Sequence, residues 1–158
     1  MEKTNIEDME ITGLSIKEDY AILSVNNIPN DGIFLNELFN MIAAFEINLD
    51  TISQQLNDDG TVNFTLYCNI EQAGIILQNA SALTKEYVIK ERLGFVKLSL
   101  VGVGIATHAG IAARVLRVLN ENGIKYYHIT SSEISISISI EAKDKQKAVE
   151  ALAMAFDL

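Results

Sequence analysis

The sequence repeats itself at an interval of 77 residues, and this repeat limits the fold more than any other feature. Phe39 aligns with Leu116, and Ile47 aligns with Ile124, without a gap. Each copy predicts a strand, a helix and two further strands, followed by a second helix. One more strand in each copy would complete a βαββαβ layer, so we predict an α+β fold of two ferredoxin-like modules.

The strands that complete the two copies are predicted in different places. Residues 87–91 (YVIKE) follow the second helix of the first copy and can close its sheet. The sequence ends at Leu158, directly after the last predicted helix, whereas the N-terminal strand 11–16 (ITGLSI) has no repeat partner. We therefore expect strand 11–16 to cross over and complete the sheet of the second copy. The alternative is a second copy with three strands and an open edge.

The apolar pattern predicts the remaining elements. Helices are expected at 34–45, 71–85, 111–122 and 148–156, where apolar residues recur at helical spacing. In the strand 133–141 isoleucines alternate with serines, so one face should be covered by helices. The predicted domains are a first module at 18–92 and a second module made of 11–16 and 93–158.

Composition excludes several classes of function. The net charge is −9, which argues against a nucleic-acid surface because phosphates need basic partners. There is no apolar run of membrane-spanning length and no secretory signal at the N-terminus. The single cysteine, Cys68, fits a reducing compartment, so we expect a cytoplasmic protein.

Two segments resemble the second ACT module of aspartate kinases. Residues 102–124 read GVGIATHAGIAARVLRVLNENGI, and residues 129–138 read ITSSEISISI. The first copy resembles the first module of that family, and the resemblance covers about residues 9–157. It implies that the leading strand completes the second module. It also implies a regulatory region without its kinase domain, either as a free regulatory subunit or as an excised region.

The glycine-containing loop of the second copy does not match a nucleotide site. A dinucleotide fingerprint needs a third glycine where Thr107 stands, and no P-loop lysine follows. The free N–H groups at the following helix start suit a carboxylate instead. The resemblance implies that this loop and the next strand–turn bind lysine or threonine at an interface between modules. The residues so implied in the second copy are Thr107, His108, Ala109, Gly110, Ile111, Ala112, Ser131, Ser132 and Glu133. Glu133 could hold the side-chain ammonium of lysine.

The first copy departs from the pattern of the family in its loop. Asn30 replaces an acidic residue of that pattern, Gly32 replaces a proline, and Ile33 replaces a glycine. The side chain of Ile33 is expected to crowd a ligand, whereas Gln54 matches the glutamine of the family. The effector residues implied here are Asn30, Asp31, Gly32 and Gln54.

The resemblance implies a non-catalytic role in feedback control of aspartate-family amino-acid biosynthesis. The expected partners are lysine or threonine, a second copy bound through the ACT sheets, and an aspartate kinase catalytic domain or subunit. No nucleophile–base pair or cluster of metal ligands is evident, so no catalytic residue, cofactor or metal is predicted. The alternative is an ACT-type oligomerisation module that binds no ligand.

Overall fold

The computed structural model describes residues 11–105 and 109–158, and these residues form an α+β fold. The strands are β1 (Gly13–Ile28), β2 (Thr51–Leu56), β3 (Val62–Asn69), β4 (Lys90–Val101), β5 (Tyr126–Ser131) and β6 (Ser135–Glu141). The helices are α1 (Ile33–Ala44), α2 (Ile70–Leu83), α3 (Gly110–Glu121) and α4 (Lys145–Phe156). The predicted fold class is confirmed.

The described residues divide into two compact units. The first unit comprises residues 19–94, and the second unit comprises residues 11–18 together with 95–158. Strands β1 and β4 each contribute to both units. They pass the boundary at Asp19 and Gly94, which have φ angles of 50° and 85°. The prediction that residues 18–92 and residues 11–16 with 93–158 are separate domains stays a prediction.

In the first unit, β3 lies between β2 and the second part of β1, and both pairings are antiparallel. Alternate residues of β1 point to one core, which also contains side chains of α1 and α2 (Ala21, Leu23, Val25, Leu38, Ile42, Ala73 and Ile76). Helix α2 begins after Asn69, whose side chain accepts hydrogen bonds from the N–H groups of Glu71 and Gln72. This cap fixes the start of α2 because first-turn N–H groups have no partner within the helix.

In the second unit, β6 lies between β4 and β5, and β1 lies beside β4. The backbone N–H of Thr12 donates a hydrogen bond to the carbonyl of Val101 at 2.7 Å. Ile11 is buried in the core of this unit, and Lys145 at the start of α4 forms an ion pair with Glu18. The N-terminal strand therefore completes the sheet of the second unit, as predicted.

Helices α3 and α4 cover the isoleucine face of β6. Helix α3 ends at Glu121, and Gly123 follows with a φ angle of 66°, as expected for a glycine after a helix C-terminus. One turn after the start of α3, the guanidinium of Arg114 donates a hydrogen bond to the carbonyl of Ala155 in the last turn of α4. The same guanidinium lies 4.7 Å from the ring centre of Phe156. Arg114 therefore ties the beginning of α3 to the end of α4.

Three predicted strand bounds are wrong. The strand predicted at 87–91 begins at Lys90 and continues to Val101, because Tyr87 packs its ring on Phe34 instead of entering the sheet. The strand predicted from residue 133 begins at Ser135. Ile134 lies in the preceding turn with 57% of its surface exposed, so it does not join the isoleucine face. The strand predicted at 11–16 begins at Gly13 and continues past residue 16 to Ile28.

Candidate functional site

The loop that follows β4 leads directly to the start of α3. Residues 102–105 leave the strand, and Ala109 precedes the first residue of the helix, Gly110. The predicted site residues Thr107 and His108 lie outside the described residues, as does Ala106. The structure therefore describes this site through the residues at the two ends of the loop and through the strands and helix next to them.

A backbone hydrogen bond joins this loop to the turn between β5 and β6. The N–H of Gly102 donates to the carbonyl of Ile134 at 2.9 Å. In the adjacent strands, Val101 lies opposite Ser135, and Ser131 lies opposite Ile136. The structure therefore brings the start of the loop next to the predicted residues 131–133 within one unit.

Among the residues that the structure describes, no side chain caps the first turn of α3. Ile111 is buried and anchors this turn in the core, whereas Gly110 and Ala112 are exposed. A Cβ atom added to Gly110 would meet no heavy atom of the described residues within 4 Å. First-turn N–H groups that no side chain caps can bind a carboxylate at a helix N-terminus.

The turn between β5 and β6 is held by its serines. The N–H of Ser132 donates to the carbonyl of Ser135 at 2.9 Å, and their hydroxyl groups lie 2.9 Å apart. The hydroxyl of Ser132 also accepts a hydrogen bond from the N–H of Ile134 at 3.3 Å. Glu133 is exposed and makes no ion pair with the described residues. Ser132 thus shapes the turn, while the carboxylate of Glu133 can meet a cation.

The corresponding loop of the first unit has a different structure. A carboxylate oxygen of Asp31 accepts a hydrogen bond from the N–H of Ile33 at 3.0 Å, and Gly32 has a φ angle of 75°. The side chain of Asp31 therefore already occupies one N–H group at the start of α1. Ile33 directs its side chain outward, with 63% of its surface exposed.

The four site residues implied for the first copy lie on two elements. Asn30, Asp31 and Gly32 are exposed in the loop before α1, and Gln54 is exposed in the middle of β2, opposite Phe64. No hydrogen bond among the described residues joins Gln54 to that loop. The first unit therefore shows no assembled polar site around these four residues.

Sequence reasoning missed Tyr87, which lies beside the loop of the first unit. Its ring is tilted against that of Phe34 with centres 5.2 Å apart. Burial raises the pKa of the Tyr87 hydroxyl, and the negative charges of Glu86 and Asp31 raise it further. A strand at 87–91 would place Tyr87 in the sheet. For this reason the sequence did not indicate that Tyr87 lies near Asp31.

The described residues offer little for catalysis or metal binding. They contain no group of three or more His, Cys, Asp or Glu side chains that could hold a metal ion. Cys68 is buried, and burial, followed by the negative charge of Glu91, raises its pKa to about 11, so the thiol stays protonated at neutral pH.

Over residues 11–105 and 109–158, no helix has the length and apolar character required to cross a membrane.

Comparison with known proteins gives matches over the whole chain. A family model for the ACT domain matches residues 98–156, which lie in the second unit. The aspartokinase of Bacillus sp. (strain MGA3) is 31% identical over 160 residues, covering 99% of this chain and 39% of the relative. The chain thus spans about two fifths of the length of the relatives it matches.

Two solved structures have the same fold and nearly the same length. The regulatory subunit of aspartate kinase from Thermus flavus has a TM-score of 0.82 at 25% identity, covering 92% of this chain and 97% of that chain. A chain from a structure of aspartokinase alpha and beta subunits has a TM-score of 0.77 at 27% identity. That match covers 94% of this chain and 100% of the other.

Proposed function

This chain belongs with the ACT-domain regulatory regions of aspartate kinases, and on that premise we propose that it binds a free amino acid, lysine or threonine, for feedback control. The proposed target is the catalytic domain or subunit of an aspartate kinase, which would make the first phosphorylated intermediate of the aspartate family. The cytoplasmic location expected from the single cysteine stays a prediction.

The observation that carries this proposal is the start of α3, where no side chain among the described residues caps the first turn, in the same unit as the β5–β6 turn. A free amino acid brings a carboxylate for the N–H groups at Gly110, Ile111 and Ala112. The hydrogen bond from Gly102 to Ile134 supports the proposal because it holds loop and turn together. By their place in the sequence before α3, Thr107, His108 and Ala109 are assigned to the same proposed site, together with Ser131 at the end of β5.

Glu133 is the residue that would favour lysine over threonine. Its carboxylate is exposed and has no ion-pair partner among the described residues, so a lysine side-chain ammonium could bind there. An exposed ion pair of this kind contributes about 1 kcal/mol at most. Threonine has no second ammonium and would not use Glu133.

A second copy would pair with this chain through an exposed sheet edge. Strand β2 carries Ile52 and Leu56 exposed on the same face, with Gln54 between them. In an antiparallel pairing of two copies centred on Gln54, Ile52 of each copy lies across from Leu56 of the other. This pairing would satisfy the free backbone groups of an edge strand and cover two apolar side chains.

Control of the kinase would follow because effector binding and the arrangement of the paired modules are thermodynamically linked. An effector shifts the kinase between two states only by its difference in affinity for them, typically about 1–3 kcal/mol. In this proposal the effector stabilises one arrangement of the paired modules. An effector role for Asn30, Asp31, Gly32 and Gln54 in the first unit stays a prediction.

Isothermal titration calorimetry with lysine and with threonine, run separately on the whole chain, tests the effector site. For lysine, Glu133→Ala should weaken affinity by about fivefold, the equivalent of about 1 kcal/mol. The matched control Glu121→Ala changes another exposed glutamate and should leave lysine affinity unchanged. Threonine affinity should be the same in both variants. Equal lysine affinity in the two variants would remove Glu133 from the site.

The exposed edge of β2 also favours the second candidate, an assembly module without a ligand. Such a module needs only the sheet edges, so it should remain dimeric in every amino acid solution. If neither lysine nor threonine gives a binding heat, while Leu56→Lys converts a dimer into a monomer, the assembly module is the correct account.

A further inference from the structure

The end of α3 carries the one Asn–Gly pair of the sequence, Asn122 followed by Gly123. Asparagine before glycine is especially prone to deamidation, because glycine has no side chain to keep its backbone nitrogen away from the asparagine amide. Asn122 is half-buried and Gly123 is exposed, so solvent reaches this pair.

Deamidation at such a pair needs only the chain and water. The backbone nitrogen of Gly123 attacks Cγ of Asn122, so an N–Cγ bond forms and the Cγ–Nδ2 bond breaks. Nδ2 leaves as ammonia, taking the proton that the Gly123 nitrogen gives up, and a five-membered succinimide ring remains. Water then adds to one of the two ring carbonyls and opens the ring to aspartate or isoaspartate.

Three features of the folded turn oppose this attack. Asn122 has a φ angle of −95° and a ψ angle of 6°, and at this ψ the nitrogen of Gly123 is turned away from Cβ of Asn122. The side-chain amide of Asn122 donates a hydrogen bond to the carbonyl of Val118 at 2.8 Å. The N–H of Gly123 donates to the carbonyl of Asn120 at 3.0 Å. Both reacting groups are therefore held by other partners.

A buried residue fixes this turn in the core of the second unit. The N–H of Ile124 donates to the carbonyl of Leu119 at 2.9 Å, and the side chain of Ile124 is only 2% exposed. The bonds from Gly123 and Ile124 are the two expected where a glycine with positive φ follows a helix. Attack at Asn122 therefore requires the last turn of α3 to open, and such local opening occurs without unfolding of the whole domain.

We propose that Asn122 is a deamidation site of this chain and that the closed C-terminal turn of α3 sets its rate. The product weakens the same turn, since a carboxylate cannot donate to Val118 and its charge is unfavourable at a helix C-terminus. The loss of stability thus runs in one direction as the chain ages. The inference goes beyond the proposed function, because it involves neither an effector nor a kinase.

Peptide mapping of chains kept at mildly alkaline pH tests the site and its protection. The tryptic peptide 118–125 contains Asn122 together with Asn120, which precedes Glu121 and serves as the internal control. In guanidinium chloride Asn122 should be converted while Asn120 stays intact. In buffer the conversion of Asn122 should be slower by about tenfold or more, as for a reaction that needs an opened state. Equal conversion of the two asparagines in guanidinium chloride, or equal rates for Asn122 with and without it, would overturn the proposal.

Two conservative variants test whether the turn sets the rate. Ile124→Val removes one buried methyl group and should speed the reaction of the folded chain about two- to tenfold. Ile129→Val makes the same change at a side chain that is 46% exposed on β5 and should leave the rate unchanged. In guanidinium chloride both variants should react like the unmodified chain. Equal rates for the two folded variants would refute control by the turn.

The effect of the product is measured separately by thermal unfolding. Asn122→Asp should lower the melting temperature more than Asn122→Ala, because both lose the amide but only aspartate adds a charge at the helix end. High salt should reduce the difference by screening that charge. Equal melting temperatures would refute the claimed loss of stability. Lysine and threonine titrations bear on the effector proposal alone, so either proposal can fail without the other.

Discussion

Replacement of Ile11 by alanine tests whether the N-terminal strand stabilises the second unit. Ile11 is 7% exposed and belongs to the core of that unit, so the change removes three buried carbon atoms. At about 0.8 kcal/mol for each buried methylene, plus a cavity contribution, the loss of unfolding free energy should be about 3 kcal/mol. The same change at Ile16, which lies in β1 and is 40% exposed, should cost about 1.5 kcal/mol.

Urea unfolding followed by far-ultraviolet circular dichroism measures both free energies, and hydrogen exchange shows where the loss occurs. In the Ile11→Ala variant, amides of residues 95–101 and 126–141 should exchange faster, whereas amides of β3 in the first unit should keep their protection. A cost for Ile11→Ala no larger than that for Ile16→Ala would refute the reasoning. So would faster exchange confined to the first unit.

Three further predictions concern single contacts. Arg114→Ala should speed hydrogen exchange in the last turn of α4 and lower stability by about 1 kcal/mol, whereas Arg117→Ala, an exposed arginine on the same helix, should do neither. Asn69→Ala should cost about 1 kcal/mol in urea unfolding, because two N–H groups of α2 lose their cap; an unchanged midpoint would contradict this. Hydrogen bonds from Lys143 and then Tyr127 lower the pKa of Glu141 below its ordinary value of 4.5. This stabilisation is therefore present above that pH and is lost as the pH falls through the lower folded value, so Glu141→Gln should flatten the acid-side decline in melting temperature.

The repeat in the sequence was sufficient to predict most of the fold. Pairs such as Phe39 with Leu116 placed two similar units in order, and counting the strands left only residues 11–16 to complete the second one. That inference succeeded because a missing strand is a property of the topology and does not depend on exact boundaries. The helices agree within a few residues for the same reason, since their apolar spacing extends over several turns.

The sequence could not predict features that depend on contacts between distant residues. Tyr87 has the aromatic character of a strand residue, but contact with Phe34 holds it outside the sheet. Ile134 continues the alternation of the following strand, yet the hydrogen bonds of Ser132 extend the turn past it. In the first unit, the N–H of Ile33 at the start of α1 donates a hydrogen bond to Asp31. Aligning the two copies without a gap does not reveal this bond and would leave the N–H group available for a ligand.

The most direct test of the account follows the backbone amides at the start of α3 by nuclear magnetic resonance during titration with lysine and threonine. The amide signals of Gly110, Ile111 and Ala112 should shift on saturation with at least one of them. Cadaverine, which is lysine without its carboxylate, should leave these three signals in place. Equal shifts with cadaverine, or no shift with either amino acid, would contradict the claim that these N–H groups bind the carboxylate of an effector.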